Sequence, residues 1–248
     1  MRLTDKTAIV TGGASGFGAG IVRKFIAEGA QVMIADVNAT AAGQLADDIG
    51  GQTIACGADV ADGASVAAMT ETALKAWGHV DILVNNAGVT HLPGPLEDIS
   101  EEDFDRVTAV NMKSVYLTAR ALVPHMKNRR KGAILNIAST AGLSPRPKLN
   151  WYNASKGWMI TATKTMAVEL APDGVRVNAL CPVAGETPLL KSFMGEDTPE
   201  MRSKFLATIP IGRFSTPEDM GNTACFLCSD EASMITGAAL EVDGGRCI

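Results

Sequence analysis

The sequence of 248 residues lacks the features that mark several large classes of protein. It has no apolar run long enough to span a bilayer, so no membrane segment is expected. Positive charge is in deficit, with 22 Lys and Arg against 27 Asp and Glu and a net charge of −5, so nothing steers the chain toward nucleic acid or an anionic membrane. Its five cysteines, Cys56, Cys181, Cys225, Cys228 and Cys247, are too few and too scattered for a disulfide framework. A reducing, cytoplasmic location is the expectation that follows. Cys225 and Cys228 have C-x-x-C spacing, but no second pair and no histidine lies near them in sequence. The pair sits in an apolar helical pattern, which assigns it to core packing rather than to metal or redox chemistry. Internal repeats, low-complexity tracts and linkers are absent. Thr7-Ala8-Ile9-Val10 already reads as a strand, which leaves no room for a signal peptide.

What the chain does contain is a steady alternation. Hydrophobic residues make up 46% and charged residues 20%, a composition that excludes disorder. Short β-rich apolar runs at 7–11, 31–35, 53–57, 80–84, 132–137, 175–181 and 238–242 have the character of parallel strands buried on both faces. Helical patterns at about 16–28, 39–49, 63–77, 101–128, 151–171 and 216–229 separate them. This order predicts an α/β fold: a doubly wound, mostly parallel seven-stranded sheet with helices on both faces, Rossmann-like, in one domain over 1–248. The segment 183–199, with Gly185, Pro188, Gly195 and Pro199, reads as a long irregular stretch. Stretches of that length in compact domains are usually functional, so a substrate lid is expected over about 183–206.

The turn after the first strand, Thr11-Gly12-Gly13-Ala14-Ser15-Gly16-Phe17-Gly18, has the chemistry of a dinucleotide phosphate site. Gly12 permits backbone angles closed to other residues. Gly16 and Gly18 let the backbone and the new helix approach a pyrophosphate, with Ser15 beside them, and the helix start attracts that anion. Asp36 ends the second strand about 20 residues further on, where an acidic side chain hydrogen-bonds the adenosine ribose. A carboxylate there repels a 2′-phosphate, and Ser15 and Val37 supply no cation to hold one, so the implied cofactor is NAD rather than NADP. The alternative role for Asp36 is to cap the helix that starts near Asn38.

Tyr152 and Lys156 stand one helical turn apart and project from one face. A carbinol gives up hydride only if its hydroxyl proton leaves as well, and a tyrosine can take or return that proton. With an unperturbed pKa of about 10, Tyr152 would need roughly 4 kcal/mol of differential stabilisation to fall by ~3 units. The Lys156 ammonium and an oxidised nicotinamide are the charges expected to supply it. Ser139 follows the fifth strand, at the sheet end where such folds bind ligands, and its hydroxyl can donate to the substrate oxygen. Asn111 is a poor helix former placed inside a long helical pattern.

These residues together resemble the short-chain dehydrogenase/reductase family, along the whole chain. Thr11–Gly18 is similar to its glycine motif, Asp59-Val60 to its adenine contact and Asn85-Asn86-Ala87-Gly88 to its N-N-A-G segment. Asn111, Ser139, Tyr152 and Lys156 fall in the order of its catalytic tetrad. The resemblance implies that Asn86, Ala87 and Gly88 line the cofactor, that Pro182, Val183 and Thr187 receive the nicotinamide, and that the Asn111 carbonyl holds a water leading from Lys156 to solvent. It further implies that Lys156 contacts the nicotinamide ribose, and that helices 101–128 and 151–171 pair across the interfaces of a homotetramer. There are two departures from the family pattern. Val183 stands where glycine is usual, with the glycine displaced to Gly185, and Phe17 replaces an aliphatic residue.

The activity this implies is hydride transfer between the cofactor and a secondary alcohol or ketone, with Tyr152 as acid/base. Reduction of 3-oxoacyl thioesters and a non-catalytic NAD-binding regulator are the alternatives. For the substrate, His91 reads as pocket lining or an ordinary loop residue, and Arg146 and Lys148 as holders of an anionic group or members of a solvated loop. Trp151, Leu189, Leu190, Phe193 and Met194 are expected to form an apolar wall and lid.

Overall fold

Seven parallel strands form one sheet in the order β3-β2-β1-β4-β5-β6-β7 in the computed structural model, which describes residues 1–248. They are β1 (Thr7–Thr11), β2 (Gln31–Asp36), β3 (Thr53–Gly57), β4 (Ile82–Asn85), β5 (Gly132–Ile137), β6 (Val175–Pro182) and β7 (Ala239–Val242). The chain begins mid-sheet, winds outward through β2 and β3, then returns to lay β4 against the other side of β1. The connections leaving β1 and β4 therefore diverge, and a crevice opens at their carboxyl ends.

Successive strand residues feed opposite faces, which is why each strand is a continuous apolar run. Val10, Val32 and Val84 pack under α1 (Gly16–Ala27), α2 (Ala39–Ile49) and the last long helix, Pro217–Cys228. Ile9, Met33, Leu83 and Val177 face α3 (Gly63–Trp77) and two later helices, Ser114–Arg129 and Asn150–Leu170. Each fully buried side chain of this size contributes about 1.5–3 kcal/mol. Cys225 and Cys228 are free thiols in the first of these cores. Local signals set the helix starts: Asn38, Asp62 and Thr216 each cap a first turn, and Thr216 does so in a reciprocal capping box with Asp219.

Two segments depart from the sequence reading. The single helix expected over 101–128 is α4 (Glu101–Thr108), a widened π turn at Ala109–Lys113, and α5 (Ser114–Arg129). The wider turn holds Asn111, whose side chain bonds outside its own helix. The stretch expected to be irregular contains α7 (Leu190–Met194) and, after α6 (Asn150–Leu170), it also supplies the Thr198 cap and first residue of α8 (Pro199–Leu206); α9 is Pro217–Cys228. Leu190 and Met194 pack with Val183, Ile209 and Phe214 in a small core of their own, because that much apolar surface is not left in water.

Candidate active site

The glycine turn is welded to the segment after β4. Gly12 has a φ of +59°, and a Cβ there would lie 2.8 Å from the Ala87 Cα. The Asn86 amide donates to the Thr11 and Gly12 carbonyls, each at 2.9 Å, while the Thr11 hydroxyl accepts from the Asn86 and Ala87 N–H groups at 3.1 and 3.2 Å. Gly18 serves this weld as well, since a Cβ on it would meet the Gly12 carbonyl at 2.1 Å. Ser15 makes no capping bond to α1, unlike the residues that begin α2, α3, α4, α8 and α9. The first-turn N–H donors of α1 therefore remain free for an anion, and Ser15, Gly16 and Phe17 face the cleft. This is a cradle that a dinucleotide pyrophosphate matches.

Asp36 is fixed at the end of β2 above the same turn. One carboxylate oxygen accepts from the Ala14 N–H and the other from the Asn38 N–H, both at 3.0 Å. The helix cap itself is Asn38, which accepts from Ala41. Asp59 is exposed and turns its carboxylate to the Ala61 N–H at 2.9 Å, and Val60 is buried. Neither they nor Asp36 line the main cleft.

That cleft, about 340 Å³, runs across the carboxyl ends of β1, β4, β5 and β6. It brings Ser139, Tyr152 and Lys156 to one wall, with Asn86, Ala87 and Gly88 beside them and Pro182, Val183 and Thr187 across from them. Ser139 is held by the Ala141 N–H at 3.0 Å. The Tyr152 ring meets Phe193 of α7 edge to face, with centroids 5.0 Å apart. Lys156 donates to the Ile137 carbonyl at 2.8 Å, and its ammonium lies 5.8 Å from the Tyr152 ring centre. Asn111 is buried outside the cleft. Its amide donates to the Val89 carbonyl at 2.9 Å and to Ser155 at 3.0 Å, and its carbonyl oxygen accepts from the Val89 N–H at 2.9 Å. The side chain is thus a clamp that holds the segment after Gly88 against α6. A buried polar chain that the sequence did not reveal supports this wall: Thr118 donates to Asn85, Asn85 to Asn136, and Asn136 to Thr163.

The sequence expectation for Tyr152 counts the charge of an oxidised nicotinamide; in the protein alone, burial sets the ionisation of the site. Burial pushes the Tyr152 phenol up to about 12, and the Ser139 hydroxyl offsets only part of this. Burial also pushes Lys156 down to about 8. The protein by itself does not lower the tyrosine, because burial is the larger effect and the ammonium is spent on a backbone carbonyl. Tyr152 is consequently a protonated acid at neutral pH.

The two departures from the family pattern interlock. A Cβ on Gly185 would sit 2.3 Å from Phe17 Cζ, so the ring of Phe17 occupies the space that the displaced glycine leaves. Among the substrate candidates, Arg146, Leu189 and Phe193 line the cleft. His91 and Trp151 do not. His91 is buried with its Nδ1 2.8 Å from the Leu92 carbonyl, and Trp151 packs on Phe104 and donates to the Leu96 carbonyl at 3.3 Å. Leu190 and Met194 turn into the lid core. Asn153, passed over in the sequence, lines the cleft and donates to the Arg146 carbonyl at 2.7 Å. Its position directly after Tyr152 is the signal that would have found it.

Comparison with known proteins agrees with this geometry. A family model described as enoyl-(acyl carrier protein) reductase matches residues 12–246. The 4-formylbenzenesulfonate dehydrogenase TsaC1/TsaC2 of Comamonas testosteroni is 47% identical over 252 residues, covering 100% of both chains. The 3-oxoacyl-[acyl-carrier-protein] reductase FabG of Thermotoga maritima is 38% identical over the whole of both chains. Among solved structures, 3-ketoacyl-(acyl-carrier-protein) reductase from Brucella melitensis complexed with NADH superposes with a TM-score of 0.95 at 49% identity, covering 99% of this chain and 100% of that one. With a family model over residues 12–246 and relatives of this identity along the whole chain, the chain belongs to the short-chain dehydrogenase/reductase family of oxidoreductases.

Proposed function

We propose that the protein is an NAD-preferring dehydrogenase that interconverts a small alcohol and its carbonyl compound, with Tyr152 as the acid/base. The observation that carries this reading is the shared wall of the cleft, where the Ser139 and Tyr152 hydroxyls stand together at the sheet end with Lys156 one turn behind. The nicotinamide, when bound, supplies or accepts the hydride. In reduction, Ser139 and the protonated Tyr152 both donate to the carbonyl oxygen, and Tyr152 gives up its proton as negative charge develops there. Lys156, lowered to about 8, is close to its own titration and can return the proton. Phe193 covers the Tyr152 ring, which helps keep water from the reacting oxygen. The stretch 183–206 acts as the lid, with α7 and α8 as its two rigid pieces.

Asp36 supports NAD over NADP. Its anchored carboxylate would face a 2′-phosphate with no cation to compensate, at a cost of at least ~2 kcal/mol, or roughly thirty-fold in affinity. The neighbour complexed with NADH is consistent with this choice. The relative named for 4-formylbenzenesulfonate supports a small aldehyde or alcohol as substrate. The relatives named for 3-oxoacyl and 3-ketoacyl carrier-protein reduction favour the second reading, a thioester reductase. The deciding experiment measures kcat/KM with NAD(H) and NADP(H) over aldehydes, alcohols and acyl thioesters, for the wild type and Asp36→Ala. A marked NAD preference that the variant narrows supports the proposal; equal use of NADP by the wild type refutes it. We further propose a homotetramer in the cytoplasm. Tyr116 and Val168 stand exposed on the two long helices, and light scattering that gave a monomer would exclude the tetramer. No helix is long and apolar enough to cross a membrane.

A further inference from the structure

Two arginines near the cleft lack the partners that half-buried arginines normally find. Arg176, similarly half-buried, spends its guanidinium on the carbonyls of Leu227, Ser229 and Ile235. Arg146 lines the cleft and has one hydroxyl, Thr208 at 2.7 Å, and the face of Phe205 at 4.4 Å. Arg246 has one hydroxyl, Ser144 at 3.1 Å, and its Nε is buried without any partner. Neither forms an ion pair. The carboxylate nearest in sequence to Arg246, Asp243, is committed to the Gly245 and Cys247 N–H groups at 2.9 and 2.8 Å.

The two guanidiniums also act on each other. Burial and the positive field of Arg246 both press the Arg146 pKa down. Like charges that feel each other away from bulk water are unfavourable, and an oxyanion bound within reach of both offsets that repulsion. Ser144 and Thr208 add hydroxyl donors, and Ser144 lines the cleft as Arg146 does. Leu149, Leu189, Phe193 and Phe205 make the neighbouring lining apolar. Asn153, through the Arg146 carbonyl, ties this loop to the residue beside Tyr152.

We propose that Arg146, in the lining of the substrate cleft, and Arg246, which reaches the lining residue Ser144, form an anion anchor at that end of the cleft, and that the substrate carries a carboxylate or sulfonate on an apolar body, remote from the carbon that is oxidised or reduced. The identity of this group as part of a substrate rests on the oxidoreductase reading above; the anchor itself does not. A competing role for Arg146 is a latch that holds α8 closed through Phe205 and Thr208. A latch would treat charged and neutral ligands alike.

The test uses the full-length protein saturated with NADH and measures binding of benzoate, benzenesulfonate and the neutral benzamide by calorimetry. Wild type is expected to bind the anions about tenfold or more tightly than benzamide, with the ratio falling as sodium chloride is raised. Arg146→Gln should bring the ratio close to one, Arg246→Gln should reduce it severalfold, and Arg146→Lys should restore part of it. The readout is a ratio, so a variant that only loosens the lid scales both ligands and leaves it unchanged. A wild-type ratio near one, a ratio that survives in the double variant, or no binding of any of the three ligands overturns the anchor. Kinetics with benzaldehyde, 4-carboxybenzaldehyde and 4-formylbenzenesulfonate form the second arm. Arg146→Gln should raise KM for the charged aldehydes at least tenfold relative to benzaldehyde on the same variant, with a much smaller effect on kcat. Anion preference with no carbonyl turnover by the wild type would sink the oxidoreductase reading and leave the anchor standing.

Discussion

Replacing Lys156 by methionine should cripple the enzyme and at the same time stabilise the cofactor-free protein at neutral pH. Lys156 is 4% exposed, and burial lowers its pKa from 10.5 to about 8. At 1.36 kcal/mol per unit, holding the ammonium in that site costs roughly 3 kcal/mol relative to the unfolded chain. Methionine keeps the apolar stem and removes the charge. It also forfeits the bond to the Ile137 carbonyl at 2.8 Å, which returns about 1–2 kcal/mol of instability. The net gain is about 1–2 kcal/mol, or roughly 2–8 °C in Tm for a chain of this size. The sign of the pH dependence follows from the same shift. Below about 8 the folded lysine is charged and the full penalty is present. Between about 8 and 10.5 the folded lysine has lost a proton that the unfolded chain still binds, so wild-type stability rises with pH and the variant's advantage shrinks. Thermal unfolding of both proteins without cofactor at pH 7 and pH 9.5, beside turnover with NAD, makes the measurement. A variant that is less stable at pH 7, or an advantage that does not shrink at pH 9.5, would show that Lys156 is not a charge held at the expense of the fold.

Tyr152→Phe should keep the fold and cofactor binding while lowering turnover by about two or more powers of ten, the range for loss of a general acid/base. Near-normal turnover in a folded variant would refute its role. In the cofactor-free wild type, ultraviolet titration of the tyrosines should show one group that ionises only near pH 12, absent from Tyr152→Phe, because burial raises it more than the Ser139 hydroxyl lowers it. Gly185→Ala places a Cβ 2.3 Å from the Phe17 ring and should cost about 1–3 kcal/mol. Adding Phe17→Leu should recover most of that loss, and additive losses in the double variant would show that the two positions are not coupled.

The fold was legible because its determinants are local. Buried parallel strands must be short apolar runs, helices between them need caps such as Asn38, Asp62 and Thr216, and a strand–turn–helix that receives a phosphate needs glycine at position 12. Tyr152 and Lys156 were legible for the same reason, since four residues of helix bring them to one face whatever surrounds it. Tertiary structure decided what depends on distant neighbours. It tied the Asn111 side chain, in the widened turn, to both Val89 and Ser155, and it set Phe17 against Gly185 across most of the chain. It turned His91 and Trp151 away from the cleft and brought Arg246 from the C-terminal end to Ser144 in the cleft lining. It also set the Tyr152 pKa of the cofactor-free protein: sequence spacing puts a lysine within one turn, but burial and the choice of a backbone carbonyl as its partner are properties of the packed site, and without the nicotinamide desolvation is the larger effect.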